Sequence, residues 1–291
     1  MDVVLNLADY YVLTPYVYPD DWREDDRTRQ LLSLLVIANV GGFLIYLITA
    51  VLSYYLIYDH RFKKHVHFLE NQVQREILCA VNSLPLMSIP TTAMFYLEVR
   101  GYSKLYDNVQ DTEAGWYGVV GSVFAFILFT DFCVYWIHRF LHHKMVYKHL
   151  HKTHHKWKIP TPFASHAFHP IDGFLQSFPY HLYPFIFPLH KFTYLGLFIF
   201  VNIWSVSIHD GDYRVPDFLK PVINGSAHHT DHHTQYNYNY GMYFTFWDRI
   251  GGSFRIPSSF TGCGPLDDVK KKEMEADSKN FRAGKSGKKL N

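Results

Sequence analysis

Long uncharged runs dominate the pattern of this chain, and their lengths set the first expectation. Leu31 to Tyr58 is 28 positions without a charged residue. As a helix rising about 1.5 Å per residue it extends ~42 Å, more than the roughly 30 Å of a hydrocarbon core. Ile77 to Leu97 is a second run, of 21, containing Pro85 and Pro90; membrane helices tolerate proline where neighbours satisfy the freed carbonyls. Trp116 to Ile137 is a third, of 22, interrupted only by Asp131. Helices buried in soluble proteins rarely stay uncharged this long, so the pattern predicts three membrane spans. Two further stretches are less regular. Gly173 to His190 holds Pro179, Pro184 and Pro188, and Phe192 to Ile208 is only 17 residues. Each is marginal as a full span. Joined at Lys191, they predict a helical hairpin that enters the membrane and returns.

The polar segments between these runs differ in charge. Residues 57–76, 138–172 and 209–291 hold 22 of the 28 Lys and Arg. Leaving aside 209–291, the split is still 10 against 5 for residues 1–30 and 98–115. Basic residues near span ends mark the cytosolic side, so 1–30 is expected to be lumenal and 138–172 and 209–267 cytosolic. No basic segment precedes an apolar stretch at the start of the chain, so the first span is expected to act as a retained insertion signal. With 48% apolar, 18% aromatic and 19% charged residues, a disordered chain is excluded. A net charge of +2 gives no case for a nucleic acid partner. Three cysteines without a CxxC give none for a disulfide framework.

Histidine is the abnormal residue. There are 19, of which seven lie in 138–155 (His138, His142, His143, His149, His151, His154, His155) and four in 228–233 (His228, His229, His232, His233). The spacings are HxxxHH at 138–143 and HxxHH at both 151–155 and 229–233. On a helix, positions i, i+3 and i+4 share a face with Cβ atoms about 5–6 Å apart, so each box offers two or three imidazoles to a common point. Imidazole is the commonest nitrogen ligand of iron, zinc and copper, and three boxes point to two metals. A surface histidine tract would not repeat HxxHH 78 residues apart. The ligands of 138–155 and 228–233 must meet, so the chain between them must cross the membrane an even number of times, as the hairpin does. His209, the first residue after it, is then a further ligand. His60, His65 and His67 are expected at headgroups, and His181 and His190 in the core. Asp131, Asp172, Asp210, Asp212 and Asp231 are candidates to bond the second ring nitrogen of a ligand, with helix capping an equal reading for each.

An all-imidazole site for two metals beside lipid suits oxygen activation at an unactivated C–H bond of an apolar substrate. Iron fits that chemistry, whereas zinc is redox-silent. No GxGxxG follows a strand, so electrons must come from another protein. Lys144, Lys148, Lys152, Lys156 and Lys158 form a basic face for an acidic carrier, a face that the ordinary cytosolic bias explains equally well. Aromatic residues such as Phe163, Phe168, Phe174, Phe178, Tyr180, Tyr183 and Phe185 are candidates to line an apolar slot, most of them being lipid-facing or packing residues.

At its boxes the chain resembles the fatty acid hydroxylase/sterol desaturase superfamily. The likeness narrows to the sterol C5-desaturases in Lys158–Gly173 (KIPTPFASHAFHPIDG), His209–Asp212 (HDGD), Asn224–His229 (NGSAHH) and Tyr243–Ser253 (YFTFWDRIGGS), and covers residues 1–267. The resemblance implies an endoplasmic reticulum enzyme that introduces the C5–C6 double bond of a Δ7-sterol, lathosterol to 7-dehydrocholesterol. It also implies two iron ions, O2, and electrons from NADH through cytochrome b5 and its reductase. By position it makes His138, His142, His143, His151, His154, His155, His209, His229, His232 and His233 the metal ligands, with His142 and His143 alternatives for one place and His228 a spare. His166 and His169 face the substrate or support the ligands, or are buried structural residues.

The expected fold is all-α: a polytopic membrane helical bundle with three clear spans and a proline-broken hairpin, carrying a cytosolic helical histidine-rich metal-binding cap. Residues 1–30 form a lumenal segment and 31–267 the membrane domain. Residues 268–291 are expected to be a disordered basic tail that ends in a dilysine retrieval arrangement at Lys288-Lys289. A C4-methylsterol oxidase or lipid hydroxylase on the same scaffold is the nearest rival. A metal transporter would place its ligands at mid-membrane, and a haem protein would use axial histidines.

Overall fold

The computed structural model describes residues 1–287. Three long helices form the frame: α2 (Arg27–Leu56), α3 (Gln72–Val99) and α4 (Gly115–Leu141), of 30, 28 and 27 residues. A short helix, α1 (Asp2–Ala8), precedes them. Each of the three is long and apolar enough to cross a membrane, and the chain is a multi-pass membrane protein. α2 starts where the Asp26 carboxylate accepts from the Thr28 and Arg29 amides at 2.9 Å, satisfying donors that the first turn leaves free. α3 runs through Pro85 and Pro90 without a break. Val36, Val40, Leu44, Ile48 and Leu52 on α2, and Val120, Phe124, Leu128, Phe132 and Trp136 on α4, are all exposed. Spaced by four, they form stripes along one side of each helix, which suit lipid rather than water.

The hairpin consists of α5 (Pro170–Ile186) and α6 (Lys191–Ser207). Its tip meets the segment between α3 and α4. Leu105–Tyr106 (β1) pairs in parallel with Leu189–His190 (β2), and the Lys104 amide donates to Pro184 O at 2.7 Å. Lys191 Nζ reaches Asp2 at 2.5 Å and Asp107 at 2.7 Å. The tip therefore lies at the end of the bundle that holds residues 1–8 and 105–107, and His209 returns at the opposite end, where α4 delivers His138.

One apolar core, around Tyr46, Tyr54, Tyr58, Phe62, Ile159 and Phe163, seats the loop 157–168 on α2 and α3. Another, around Phe126, Tyr183, Leu197, Val201 and Tyr243, packs α4 on the hairpin.

The tail differs from expectation. Pro265–Gly287 is a helix, α8. Its Lys, Glu, Met and Ala residues are good helix formers. It is also anchored: Val269 is buried, and Glu273 meets Lys64 at 2.6 Å. A charged composition thus hid a helix supported by a contact more than 200 residues away in sequence. Lys288-Lys289 lies outside the described residues.

Candidate metal centre

Four separate elements deliver the clustered histidines. The last turn of α4 presents His138, with His142 at its C-cap. His151, His154 and His155 lie on consecutive tight turns rather than on an α-helix. His209 follows α6, and α7 (Ser226–Gln235) carries His229, His232 and His233. They assemble into two groups, His138, His142, His151, His155 and His232 in one and His154, His209, His229 and His233 in the other. Within each group one ring nitrogen of every member lies within 4.8 Å of all the others.

The assignment to groups follows a rule that spacing alone did not reveal. The i and i+4 members of a box stay together: 138 with 142, 151 with 155, 229 with 233. The i+3 member crosses over, so that His154 joins the group of α7 and His232 joins the group of α4. Each HxxHH therefore serves both groups, and a box does not converge on a single point.

Several ring tautomers are set by fixed acceptors. Nδ1–H of His138 donates to Tyr240 O (2.9 Å), that of His151 to Asp172 Oδ2 (2.8 Å), that of His209 to Ser205 O (2.6 Å) and that of His232 to Tyr238 O (2.7 Å). In a neutral ring this leaves Nε2 with a bare lone pair. Nε2 of His138 then faces Nε2 of His151 at 3.1 Å, lone pair to lone pair. His232 Nε2 is buried without a partner.

Burial favours the neutral form of six of the rings in particular. Burial and the neighbouring His138 and His151 push His142 well below its ordinary value. Burial, followed by mutual repulsion, does the same to His154, His155, His229, His232 and His233. Burial brings His209 down to about 4.

Facing lone pairs repel unless a cation lies between them. Two nitrogens bound about 2.1 Å from one metal at right angles are ~3.0 Å apart. The Nε2···Nε2 contacts of His155 with His142 and His151 (3.0 and 3.1 Å) and of His229 with His209 and His233 (2.9 and 3.1 Å) match that spacing. The residues fit a pair of nitrogen-seeking transition ions.

Two of the histidines singled out by position lie elsewhere. His143 is exposed and caps the following turn, its Nδ1 accepting from the Met145 amide. His228 is buried between Phe254 and Phe260, on the side of α7 away from both groups. His142 rather than His143 thus joins the cluster.

Among the candidate carboxylates, Asp172 alone bonds a clustered imidazole, and Gln176 holds its other oxygen at 2.8 Å. The others fix loops. Asp131 accepts from the Tyr243 and Phe244 amides, Asp210 from the Asp212 amide, and Asp231 from Ser258. Asp212 pairs with Arg214. Asp248 was not anticipated: it accepts from the Tyr240 and Gly241 amides and Ser253 Oγ, setting the loop whose carbonyl orients His138. His169 caps α5, its Nδ1 accepting from Ile171 N. His166 lies on a cavity wall, bonded to Asn202.

That cavity, of about 260 Å³, runs through the bundle. His138, His154, His209 and His229 form one end, and Met1, Phe95 and Leu195 line the other. Of the aromatic residues proposed for a slot, Phe168 and Tyr180 line it; Phe163 and Tyr183 pack in the cores instead. Of the four clustered histidines that line it, three come from the four-membered group, so that group faces the cavity.

The arrangement is a histidine cluster able to hold metal at one end of a membrane helical bundle, and the sequence comparisons make the chain an oxidoreductase. Residues 123–253 match the family model "Fatty acid hydroxylase", and the chain belongs to this family. It is 63% identical to "Lathosterol oxidase" of Rattus norvegicus over 93% of this chain and 90% of that protein. With "Lathosterol oxidase" of Homo sapiens it shares 62% over 98% of this chain and 94% of that protein. "Delta(7)-sterol 5(6)-desaturase ERG3A" of Gibberella zeae is 52% identical over 84% of this chain and 68% of its own length. No solved structure matches.

Proposed function

We propose that this protein is a Δ7-sterol 5(6)-desaturase that converts lathosterol to 7-dehydrocholesterol. The reaction removes one hydrogen each from C5 and C6. With O2, two electrons and two protons it yields the diene and two molecules of water. The relatives' names give the substrate class, and the observation that carries the chemistry is the set of facing imidazole lone pairs at the end of an apolar cavity. Two iron ions are the proposed cofactors. Five imidazoles (His138, His142, His151, His155, His232) would hold one and four (His154, His209, His229, His233) the other. Bound iron would supply the oxidising power.

The protein does the rest. Asp172 and the carbonyls of Ser205, Tyr238 and Tyr240 aim the rings. The buried cap excludes water, and the cavity positions the sterol so that its ring carbons meet the four-histidine side. Electrons are proposed to come from NADH through cytochrome b5 and its reductase. Lys144, Lys148, Lys152 and Lys156 are exposed, and residues 138–171 contain no acid, which suits an acidic carrier. Together with the charge asymmetry, this supports the histidine cap on the cytosolic side, and an endoplasmic reticulum location is proposed with the sterol substrate.

The test is conversion of lathosterol by the purified protein with cytochrome b5, its reductase and NADH, following the conjugated diene by its ultraviolet absorbance. His154→Ala and His232→Ala, each removing a ligand from one group, should abolish the product and lower bound iron. Undiminished diene formation in both variants refutes the site, and a hydroxysterol product refutes the desaturation.

A further inference from the structure

The cavity has polar chemistry at one place that the metal groups do not use. Phe198, Asn202 and Ser205 follow one another at i, i+4 and i+7 on α6, so they share a face, and they line the cavity together with His209 just beyond the helix. Asn202 lies seven residues before His209, about 10 Å along the helix. A polar amide inside a membrane helix is costly unless it is used. Asn202 uses half of its capacity: Nδ2 donates one hydrogen to Phe198 O at 2.7 Å, and Oδ1 takes His166 Nε2–H at 3.3 Å. Ser165 Oγ lies 3.0 Å from Nδ1 of the same imidazole, which fixes the pair from behind. One amide hydrogen and one oxygen lone pair remain on the cavity wall. Three other polar side chains on the lining are committed. Gln176 is bonded to Asp172, and Ser177 and Ser88 to carbonyls of their own helices.

We infer that Asn202, braced by His166, seats the 3β-hydroxyl of the sterol. This rests on the sterol reading above. In a sterol the C3 oxygen is three bonds of about 1.5 Å from C5, so it lies within ~4 Å of the carbon to be oxidised. Reacting atoms must come within about 3–3.5 Å. With ~2 Å added for a metal–nitrogen bond, the hydroxyl must sit within about 10 Å of the histidine end, the depth of Asn202. The cavity extends for about 21 Å of helix from His209 to Leu195 between apolar walls, room for the rings and side chain. A hydroxyl is both donor and acceptor, and the unused hydrogen and lone pair of Asn202 complement both roles. The amide thus registers C5 and C6 against the four-histidine group.

Equilibrium binding to the purified protein, without turnover, tests this through competition between radiolabelled lathosterol and unlabelled lathosterol or its 3-deoxy analogue. The wild type should prefer lathosterol by at least about tenfold. Asn202→Leu, close in size, should bind the two alike while holding the 3-deoxy sterol as well as the wild type does. Asn202→Ala, which crowds nothing, should also lose the preference. A wild type indifferent to the hydroxyl, or an undiminished preference in either variant, overturns the inference. Diene formation is scored separately. A binding preference without diene keeps the hydroxyl seat and defeats the desaturase reading; diene without preference does the reverse.

Discussion

Asp172 is a position where geometry predicts a selective lesion. Its Oδ2 accepts Nδ1–H of His151 at 2.8 Å, and neither side chain is accessible to solvent. In Asp172→Ala the imidazole loses the acceptor that fixes its tautomer. The proton can then move to Nε2, the atom aimed at His138 and His155, and each ring carrying it there is lost as a ligand. Loss of such a supporting partner weakens metal affinity about 10- to 100-fold, or ~1.4–2.7 kcal/mol. Removing a hydrogen bond to a charged group costs about 1.5–3 kcal/mol, a range that overlaps. His151 belongs to the five-membered group, so that group should empty first. Asp172→Asn keeps an acceptor oxygen and should fall nearer the tenfold end. The assay is metal per chain by mass spectrometry after dialysis against graded chelator. Wild type should hold two ions over a range where Asp172→Ala holds one. Asp131→Asn, which touches no clustered imidazole, should follow the wild type. Equal affinity in Asp172→Ala and wild type, or loss of both ions together at one chelator concentration, would refute the reasoning.

The remaining predictions concern ligand choice, packing and pH. His142→Ala should weaken metal binding, whereas His143→Ala, at an exposed cap, should keep the wild-type metal content; the opposite result would reverse the assignment. A Cβ at Gly251 would fall 1.8 Å from Tyr135 Oη and 2.5 Å from Arg139 Nη1, so Gly251→Ala should destabilise the cap by about 1–3 kcal/mol, seen as a lower melting temperature in detergent. In the metal-free protein, burial depresses His154, His155, His229, His232 and His233, while the unfolded chain titrates near ~6.5. Below ~6.5 the unfolded state binds more protons, so stability falls with falling pH, by up to ~1.4 kcal/mol per pH unit for each ring; above it the dependence from these groups vanishes. A melting temperature that stays level from pH 8 to pH 5 would contradict this.

Much of the architecture was legible because membrane insertion writes itself in one dimension. The runs at 31–58, 77–97 and 116–137 became three helices, and the need for His209 to rejoin His138 made the broken stretches a hairpin. The histidines that assemble were visible as boxes, but their sorting was not. The i+3 member changes group because a second element approaches from the other side, which no local spacing encodes. The same holds for Asp172, 21 residues from His151 and chosen over Asp131, Asp210 and Asp231 only by the packing of α5. His228 shares the HH dipeptide of its neighbour yet points into a phenylalanine pocket, because successive helical residues face about 100° apart. Asn202 sat unnoticed inside an apolar run. The tail helix was missed because its support comes from the loop after α2.

The crossed boxes also decide what sets the separation of the two histidine groups. His154 and His155 are chain neighbours that serve different groups, as are His232 and His233, with ring centres 5.9 and 6.1 Å apart. Successive Cα atoms are tied at about 3.8 Å by covalent bonds. The span between the two groups is therefore gauged twice by a dipeptide rather than by the fit of one helix on another. Swelling of the bundle to admit a bulky guest, or thinning of the surrounding bilayer, would carry both histidine groups along as a unit, tied at these two dipeptides.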